Sequence, residues 1–426
     1  MSGVVSVRIV AVGDELLEGR TSDTNSTRIQ RALTRYAAEV RDISVVHDTL
    51  DDIALALART EPGDIVFVCG GLGNTGDDLT RDAVAAWAGV ELEWREDVAE
   101  RLQERYRRRG FSHRLDDDRQ PYIPAGCRAV DNPVGSAPGI LGTLLDRHLC
   151  VLPGPPSELS GMLPLMVRGL ADLGLLPPAR DTRLWRTAQQ AEYPLAKLTE
   201  PVRADHPDLH WSWWVVPWGV DVRVGAALGQ EAELAVVAGR LDEILGDVVY
   251  AQELVDLPRV VQELMLERGL SLAVAESCTG GLLGSAITGQ DGASGYFKGG
   301  ILSYANEVKV EQLGVDAGDL DASGAVSEPV ARQMARGARQ RLAADYALAV
   351  TGIAGPGGGT DEKPVGTTWI ALAGPDDVCW AVRFRFTTGR ERNRSLAVAS
   401  ALDLLRRALV GVPVEALDRF TWAKRP

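Results

Sequence analysis

Short apolar runs alternate with longer stretches of helical spacing over the first 170 or so residues. Residues 7–12 and 43–46 are apolar and rich in β-branched side chains, as are 64–69 and 149–152, which predicts strands. Residues 24–37, 51–59, 81–87, 97–109 and about 157–170 place apolar side chains at helical spacing. This order predicts a parallel sheet with helices on both faces. A joint at Leu175-Leu176-Pro177-Pro178 follows. The pattern resumes with an amphipathic helix at 257–267, a strand at 270–274 and a helix at 278–287. A helix at 330–342, strands at 347–350, 367–372 and 379–386, and a closing helix at 392–409 complete it. Arg383 and Arg385 alternate with apolar neighbours, as in a strand with one wet face. The expected division is 1–170, a small α+β middle unit at 171–255, and a compact α/β domain at 256–426.

Composition narrows the function. The 426 residues carry a formal net charge of −14, which disfavours broad nucleic-acid binding despite the basic stretch at 101–109. Trp211, Trp213, Trp214 and Trp218 fit base stacking or strand packing, and the lack of interleaved basic residues favours packing. Five scattered cysteines form no CxxC, which suits reduced, buried thiols in a cytoplasmic protein. No run of about 18 apolar residues is present, so no membrane span is expected, nor an export signal. All five histidines, His47, His113, His148, His206 and His210, precede residue 211. Chemistry in the last domain therefore has no Ser-His or Cys-His pair of its own, and no His/Cys zinc cluster.

The most telling stretch there is Ala275-Glu276-Ser277-Cys278-Thr279-Gly280-Gly281, between a buried strand and a helix. A hydroxyl at such a turn lies near free backbone N–H groups, a place for a nucleophile with an oxyanion hole. With no histidine to activate Cys278, Ser277 is the better nucleophile, and a desolvated lysine can serve it as base. Lys309 and Tyr304, five residues apart at a strand-to-helix junction, are the candidates; a capping serine and a surface lysine are the plainer alternative. The loop Thr351-Gly352-Ile353-Ala354-Gly355-Pro356-Gly357-Gly358-Gly359 suits close backbone approach to an anion. It lacks the Lys-Ser/Thr ending of a P-loop, so nucleoside triphosphate hydrolysis is not expected. Arg390, Arg392 and Arg394 offer charge for a phosphate, or a solvated helix start.

In the first domain, Gly70-Gly71-Leu72-Gly73-Asn74-Thr75-Gly76-Asp77-Asp78 joins a strand to a helix. Its glycines suit phosphate or a pterin-like ring, and Asp77 and Asp78 suit magnesium or simply a helix N-terminus. Polar turns at 13–19, with Asn25, and at 132–139 would converge with it on one sheet edge, where open α/β sheets bind ligands.

Together these stretches resemble the CinA family. In the last domain the match rests on AESCTGG (275–281), SYANEVK (303–309), GAVSE (324–328), TGIAGPGGG (351–359) and KPVGT (363–367), within 256–412. That part resembles the family's nicotinamide-mononucleotide deamidase domain. The resemblance implies hydrolysis of nicotinamide mononucleotide to nicotinate mononucleotide and ammonia. It implies Ser277 as nucleophile, Lys309 as base and Tyr304 as a supporting hydrogen-bonder, with no metal. Thr279, Gly280, Gly281, Gly352, Gly355, Gly357, Arg390 and Arg392 are the expected substrate contacts.

From about 7 to 166 the chain resembles the family's N-terminal domain, with a molybdopterin-binding-like fold linked to metal-dependent cleavage of ADP-ribose to AMP and ribose 5-phosphate. Expected ligand contacts are Gly13, Glu15, Asn25, Gly70, Gly71, Gly73, Thr75 and Gly135. Asp77 and Asp78 would take a divalent magnesium, manganese or cobalt ion, with potassium a further candidate cofactor. Asn74 stands where the family usually carries proline. Residues 187–192 replace a usually glycine-rich, glutamate-bearing segment. The whole resemblance implies a cytoplasmic homodimer of pyridine-nucleotide salvage, without direct nucleic-acid or membrane contact. The alternative is a nucleotide-sensing accessory protein of competence or recombination, with a recombination-protein partner and a degenerate first domain.

Overall fold

The computed structural model describes residues 5–36, 38–108, 110 and 118–412. Ala37 and Arg109, which end two expected helices, and His113 and residues 413–426 lie outside that set. The chain forms two compact units, 1–180 and 181–426.

The first unit contains strands β1 (Val5–Val12), β2 (Ala38–Val46), β3 (Ile65–Cys69), β4 (Leu92–Trp94), β5 (Tyr122–Pro124), β6 (Cys127–Val130), β7 (Gly139–Leu144) and β8 (Arg147–Leu152). Its helices are α1 (Asp14–Leu17), α2 (Asn25–Leu33), α3 (Leu50–Ala58), α4 (Thr80–Ala88), α5 (Glu96–Arg108) and α6 (Pro156–Asp172). The main sheet runs β2-β1-β3-β8-β7-β6. β3 is buried along its whole length, as a central strand covered on both faces must be. Ile29, Leu33, Leu159, Met162 and Met166 of α2 and α6 pack on one face. Ile53, Leu57 and Val84 of α3 and α4 pack on the other. The sheet is mixed rather than all parallel, because β7 pairs antiparallel with both β6 and β8. The β7–β8 turn, Leu145-Asp146, has both residues at positive φ, 47° and 60°, a primed turn that reverses the chain tightly. No glycine announces it, so the hairpin was not legible.

The second unit holds two sheets. The first follows a β-α-β-β-α-β order: β9 (Asp181–Ala188), α7 (Glu192–Asp205), β10 (His210–Val216), β11 (Gly219–Ala226), α8 (Glu231–Leu245) and β12 (Val249–Ala251). Its antiparallel order β10-β11-β9-β12 is ferredoxin-like. Trp211 and Trp213 stack at 6.0 Å between ring centroids and pack against its core. Arg223 covers Trp214 at 4.0 Å. The tryptophans here are packing residues, half-buried. Gln189, in the segment that departs from the family pattern, takes a left-handed φ of 57°, and its Nε2 donates to Asp403 Oδ2 at 3.0 Å.

The second sheet is built from α9 (Leu257–Glu267), β13 (Leu272–Glu276), α10 (Leu282–Thr288), β14 (Phe297–Leu302), α11 (Asn306–Leu313), α12 (Ala317–Ser323), α13 (Glu328–Arg341), β15 (Tyr346–Gly352), β16 (Thr367–Ala373), β17 (Cys379–Arg385) and α14 (Arg390–Leu409). Its order is β14-β13-β15-β16-β17. The first three strands are parallel, so their C-terminal ends share one edge. α9, α10 and α14 cover one face, and α11, α12 and α13 the other. The C-terminal end of α14 grips the ferredoxin-like module: Arg406 donates to Asp247 O at 2.8 Å and Arg407 to Asp247 Oδ2 at 2.7 Å, while both bond the fully buried Asp403. No helix among the described residues is long and apolar enough to cross a membrane.

Candidate active site

β13 is buried along its length and paired on both sides, so its C-terminal end opens in the middle of the parallel edge. The helix expected from Cys278 begins only at Leu282. The intervening residues form a turn in which Gly280 and Gly281 take φ of 56° and 95°, a conformation that side chains resist. Ser277 N donates to Val350 O at 3.0 Å, and Gly280 N closes the turn on Ser277 O at 3.2 Å. The buried Glu276 carboxylate accepts from Gly281 N at 3.0 Å, Leu283 N at 3.1 Å and Gly284 N at 2.8 Å. It caps α10, so the helix end expected to form an oxyanion hole is already occupied. The Cys278 N–H faces its own thiol, and among the described residues the Thr279 N–H finds no acceptor.

Lys309 reaches this turn from α11, with only 1% of its surface exposed. Its Nζ donates to Ser303 O at 2.7 Å and Tyr304 O at 3.1 Å, and lies 3.3 Å from Ser277 Oγ. Burial lowers its pKa below that of a free lysine, against weaker opposing effects of Cys278 and Glu307. Burial thus favours the neutral amine, the form that can accept the serine proton. The contribution of Tyr304 is its carbonyl; the phenol side chain is exposed. Burial pushes the Cys278 thiol up to about 11, so it stays protonated at neutral pH.

The Ser277–Val350 bond ties the turn to the end of β15, from which the glycine loop continues. A Cβ on Gly352 would lie 2.6 Å from Thr368 Oγ1, and one on Gly355, whose φ is 89°, would lie 2.5 Å from Val365 Cγ1. Gly357 is exposed, with open space where a Cβ would stand. Arg390 and Arg394, which the sequence offers as phosphate ligands or as a solvated helix start, bond loop carbonyls: Arg390 to Gly355 O at 2.8 Å, Arg394 to Cys278 O at 3.0 Å and Thr279 O at 2.7 Å. Arg392 lies between them, half-buried. Thr279 is fully buried. Glu276 and Asn393 were not anticipated; an acid just before a glycine turn was the available signal for Glu276.

In the first unit, β1 lies between β2 and β3, so the chain order reverses at the C-terminal ends of β1 and β3. A cleft of about 290 Å³ opens there, lined by Gly13, Glu15, Gly70, Gly71, Gly73, Asp77 and Asp78, with Asp48, Gln120 and Glu158. A Cβ on Gly70 would lie 2.2 Å from Val12 O, and one on Gly71 2.3 Å from Thr80 Oγ1. Asn25 lines a neighbouring cleft of about 360 Å³ that shares Glu15 and Gly154. Gly135 N donates to Asn132 Oδ1 at 2.8 Å, and a Cβ there would collide with the Glu158 carboxyl.

The expected metal pair separates. Asp78 accepts from Gly73 N at 2.7 Å, Thr75 N at 2.8 Å and Thr75 Oγ1 at 2.6 Å, so both its oxygens hold the loop. Asp77 is exposed. Among the described residues no group of three or more His, Cys, Asp or Glu side chains is arranged to hold a metal. These side chains do not make a metal site by themselves. Asn74, in place of proline, accepts from Arg119 N at 2.7 Å and ties the loop to the segment before β5.

A ferredoxin-like module followed by an α/β sheet with a buried serine–lysine pair, preceded by an α/β unit with a switch-point cleft, defines a modular α/β protein. A model of the "CinA C-terminal domain" matches residues 255–409, and one of a "Probable molybdopterin binding domain" matches residues 8–172. The chain is 39% identical over 416 residues to a CinA-like protein of Anaeromyxobacter sp. (strain Fw109-5), covering 95% of this chain and 99% of that protein. It is 38% identical over 424 residues to a CinA-like protein of Desulfovibrio desulfuricans, covering 96% and 97%. Among solved structures, the competence/damage inducible protein CihA of Agrobacterium tumefaciens is 41% identical, covering 36% of this chain and 93% of that one with a TM-score of 0.35. The chain belongs to the CinA family, with a molybdopterin-biosynthesis-like N-terminal domain and a CinA C-terminal domain.

Proposed function

We propose that the second unit is an amidohydrolase that converts nicotinamide mononucleotide and water to nicotinate mononucleotide and ammonia. The observation that carries this is the buried Lys309 amine 3.3 Å from Ser277 Oγ, with a lowered pKa. Ser277 Oγ attacks the carboxamide carbon and its proton passes to Lys309 Nζ. The C–N bond of the tetrahedral adduct breaks as Lys309 protonates the departing nitrogen, which leaves as ammonia. Water then attacks the Ser277 ester, its proton goes to Lys309, and Ser277 regains its own on release of the acid. The free amide of Thr279 is the candidate donor to the oxyanion. The test is ammonia release by wild type and by Ser277→Ala. Turnover in the first and none in the second is expected; equal turnover in both removes Ser277 from the mechanism.

For the first unit we propose cleavage of ADP-ribose to AMP and ribose 5-phosphate, supported by the glycine-walled cleft at the switch point. Metal would come with the substrate phosphates, since magnesium retains waters and takes few carboxylates. AMP release is expected with added divalent metal and is lost on chelation. No AMP with any divalent metal or potassium removes this activity.

A further inference from the structure

Arg390, Asn393 and Arg394 share one face at the start of α14. Each donates to backbone carbonyls of the site loops. Arg390 takes Gly355 O at 2.8 Å and Asn393 takes Ala354 O at 3.0 Å. Arg394 takes two successive carbonyls of the nucleophile turn, Cys278 O at 3.0 Å through Nε and Thr279 O at 2.7 Å through Nη2. A trans peptide sets its N–H opposite its C=O. Holding Cys278 O therefore turns the Thr279 N–H away from Arg394. Holding Thr279 O turns the Gly280 N–H the same way, where it closes on Ser277 O at 3.2 Å. The cap by Glu276 keeps the α10 amides out of play, so the turn itself must supply any oxyanion donors.

We propose that Arg394 is a positioning residue for Ser277. It does not touch the substrate. It fixes the 277–280 turn so that Ser277 Oγ stays against Lys309 and the Thr279 amide stays free for negative charge. A guanidinium on the Cys278 carbonyl also polarises that peptide and strengthens the Thr279 N–H as a donor. The identity of the amide substrate rests on the proposed deamidase reading; the role of Arg394 rests only on Ser277 being the nucleophile.

The test measures Ser277 reactivity without a nucleotide. A fluorophosphonate forms a bond from Ser277 Oγ to phosphorus, fluoride leaves, and Lys309 takes the hydroxyl proton. Labelling of Ser277 is followed by mass spectrometry in the full chain, beside ammonia release from nicotinamide mononucleotide. Arg394→Ala is expected to label about 100-fold more slowly, the scale of losing an oxyanion donor. Its kcat should fall similarly with KM within about threefold of wild type. Methylguanidinium should restore much of both rates, which a merely structural defect would not permit. Labelling at the wild-type rate overturns the proposal, and so does a loss that methylguanidinium leaves untouched. If Arg394→Ala does not fold, Arg394→Lys carries the test: slowed labelling supports the proposal and an unchanged rate overturns it. Wild type that labels in an Arg394-dependent way without deamidating the nucleotide removes the substrate and keeps the proposal. Wild type that neither labels nor turns over removes both.

Discussion

The two units solve the same local problem with opposite results. Each has a buried parallel strand that ends in a glycine turn leading to a helix, and in each a carboxylate near the turn accepts three donors. In the second unit Glu276 caps α10 and leaves Ser277 beside a buried amine. In the first unit Asp78 holds its own loop, while Asp48 accepts from Asp14 N at 2.9 Å and Glu158 from Asn132 Nδ2 at 2.7 Å. The difference is one of completeness. The serine–lysine site has its reactive pair in contact before any ligand arrives. The first cleft has a shaped backbone wall but no assembled reactive group, so its chemistry must be brought largely by what binds there.

The largest effects should come from the assembled pair. Lys309→Ala should lower deamidation by about 10⁴-fold, comparable to losing a member of a nucleophile–base set. Circular dichroism should show the fold intact. An active Lys309→Ala enzyme would remove the contrast altogether, since the second site would then be no more assembled than the first.

The next effect is the pH profile. Lys309 must be neutral to accept the serine proton, so kcat/KM should rise with pH and level off below the 10.5 of a free lysine, because burial lowers its pKa. The same sign applies to stability. A lysine with a lowered folded pKa binds fewer protons than in the unfolded chain between the two values, so its contribution improves as pH rises through that window. A profile flat on the acid side would mean that Lys309 is not the base.

A smaller effect sharpens the other half of the comparison. Asp78→Asn should cost roughly 1–2 kcal/mol of first-unit stability, from weakened hydrogen bonds to a charged group. Exposed Asp77→Asn should stay within about 0.5 kcal/mol. Denaturant melts and amide exchange over residues 70–80 measure both. A larger loss at Asp77 would reverse the assignment of the loop-holding acid. The smallest effect is Cys278→Ala, whose deamidation should stay within about threefold of wild type, since its buried thiol remains protonated. Its loss in a folded protein would move the nucleophile one residue.

The elements that were legible were those with strong local periodicity. β3 and β13 are continuous apolar runs because both faces are covered, and α9 shows a clear amphipathic stripe. The β7–β8 hairpin was not legible, because Leu145 and Asp146 adopt positive φ without the usual glycine. The ferredoxin-like module was not legible either, because its strands mix tryptophans and charges whose partners lie far along the chain, such as Arg186 with Asp256 at 2.8 Å. At the sites, the sequence marked Ser277, Lys309 and both glycine loops. It did not show that Asp78, Arg390 and Arg394 bond the site loops themselves, since a side chain's partner is a matter of geometry rather than of residue type.

By itself the sequence determined the α/β class, the two glycine turns at strand ends, the family, and the absence of histidine from the second sheet. All of these are local patterns or counts. Only the tertiary structure decided that Lys309 is buried, that its Nζ sits against two carbonyls and 3.3 Å from Ser277 Oγ, and that α14 reaches back from residue 394 to the turn at 277. Those depend on desolvation and on contacts between segments 32 to 116 residues apart, and long-range packing alone sets them.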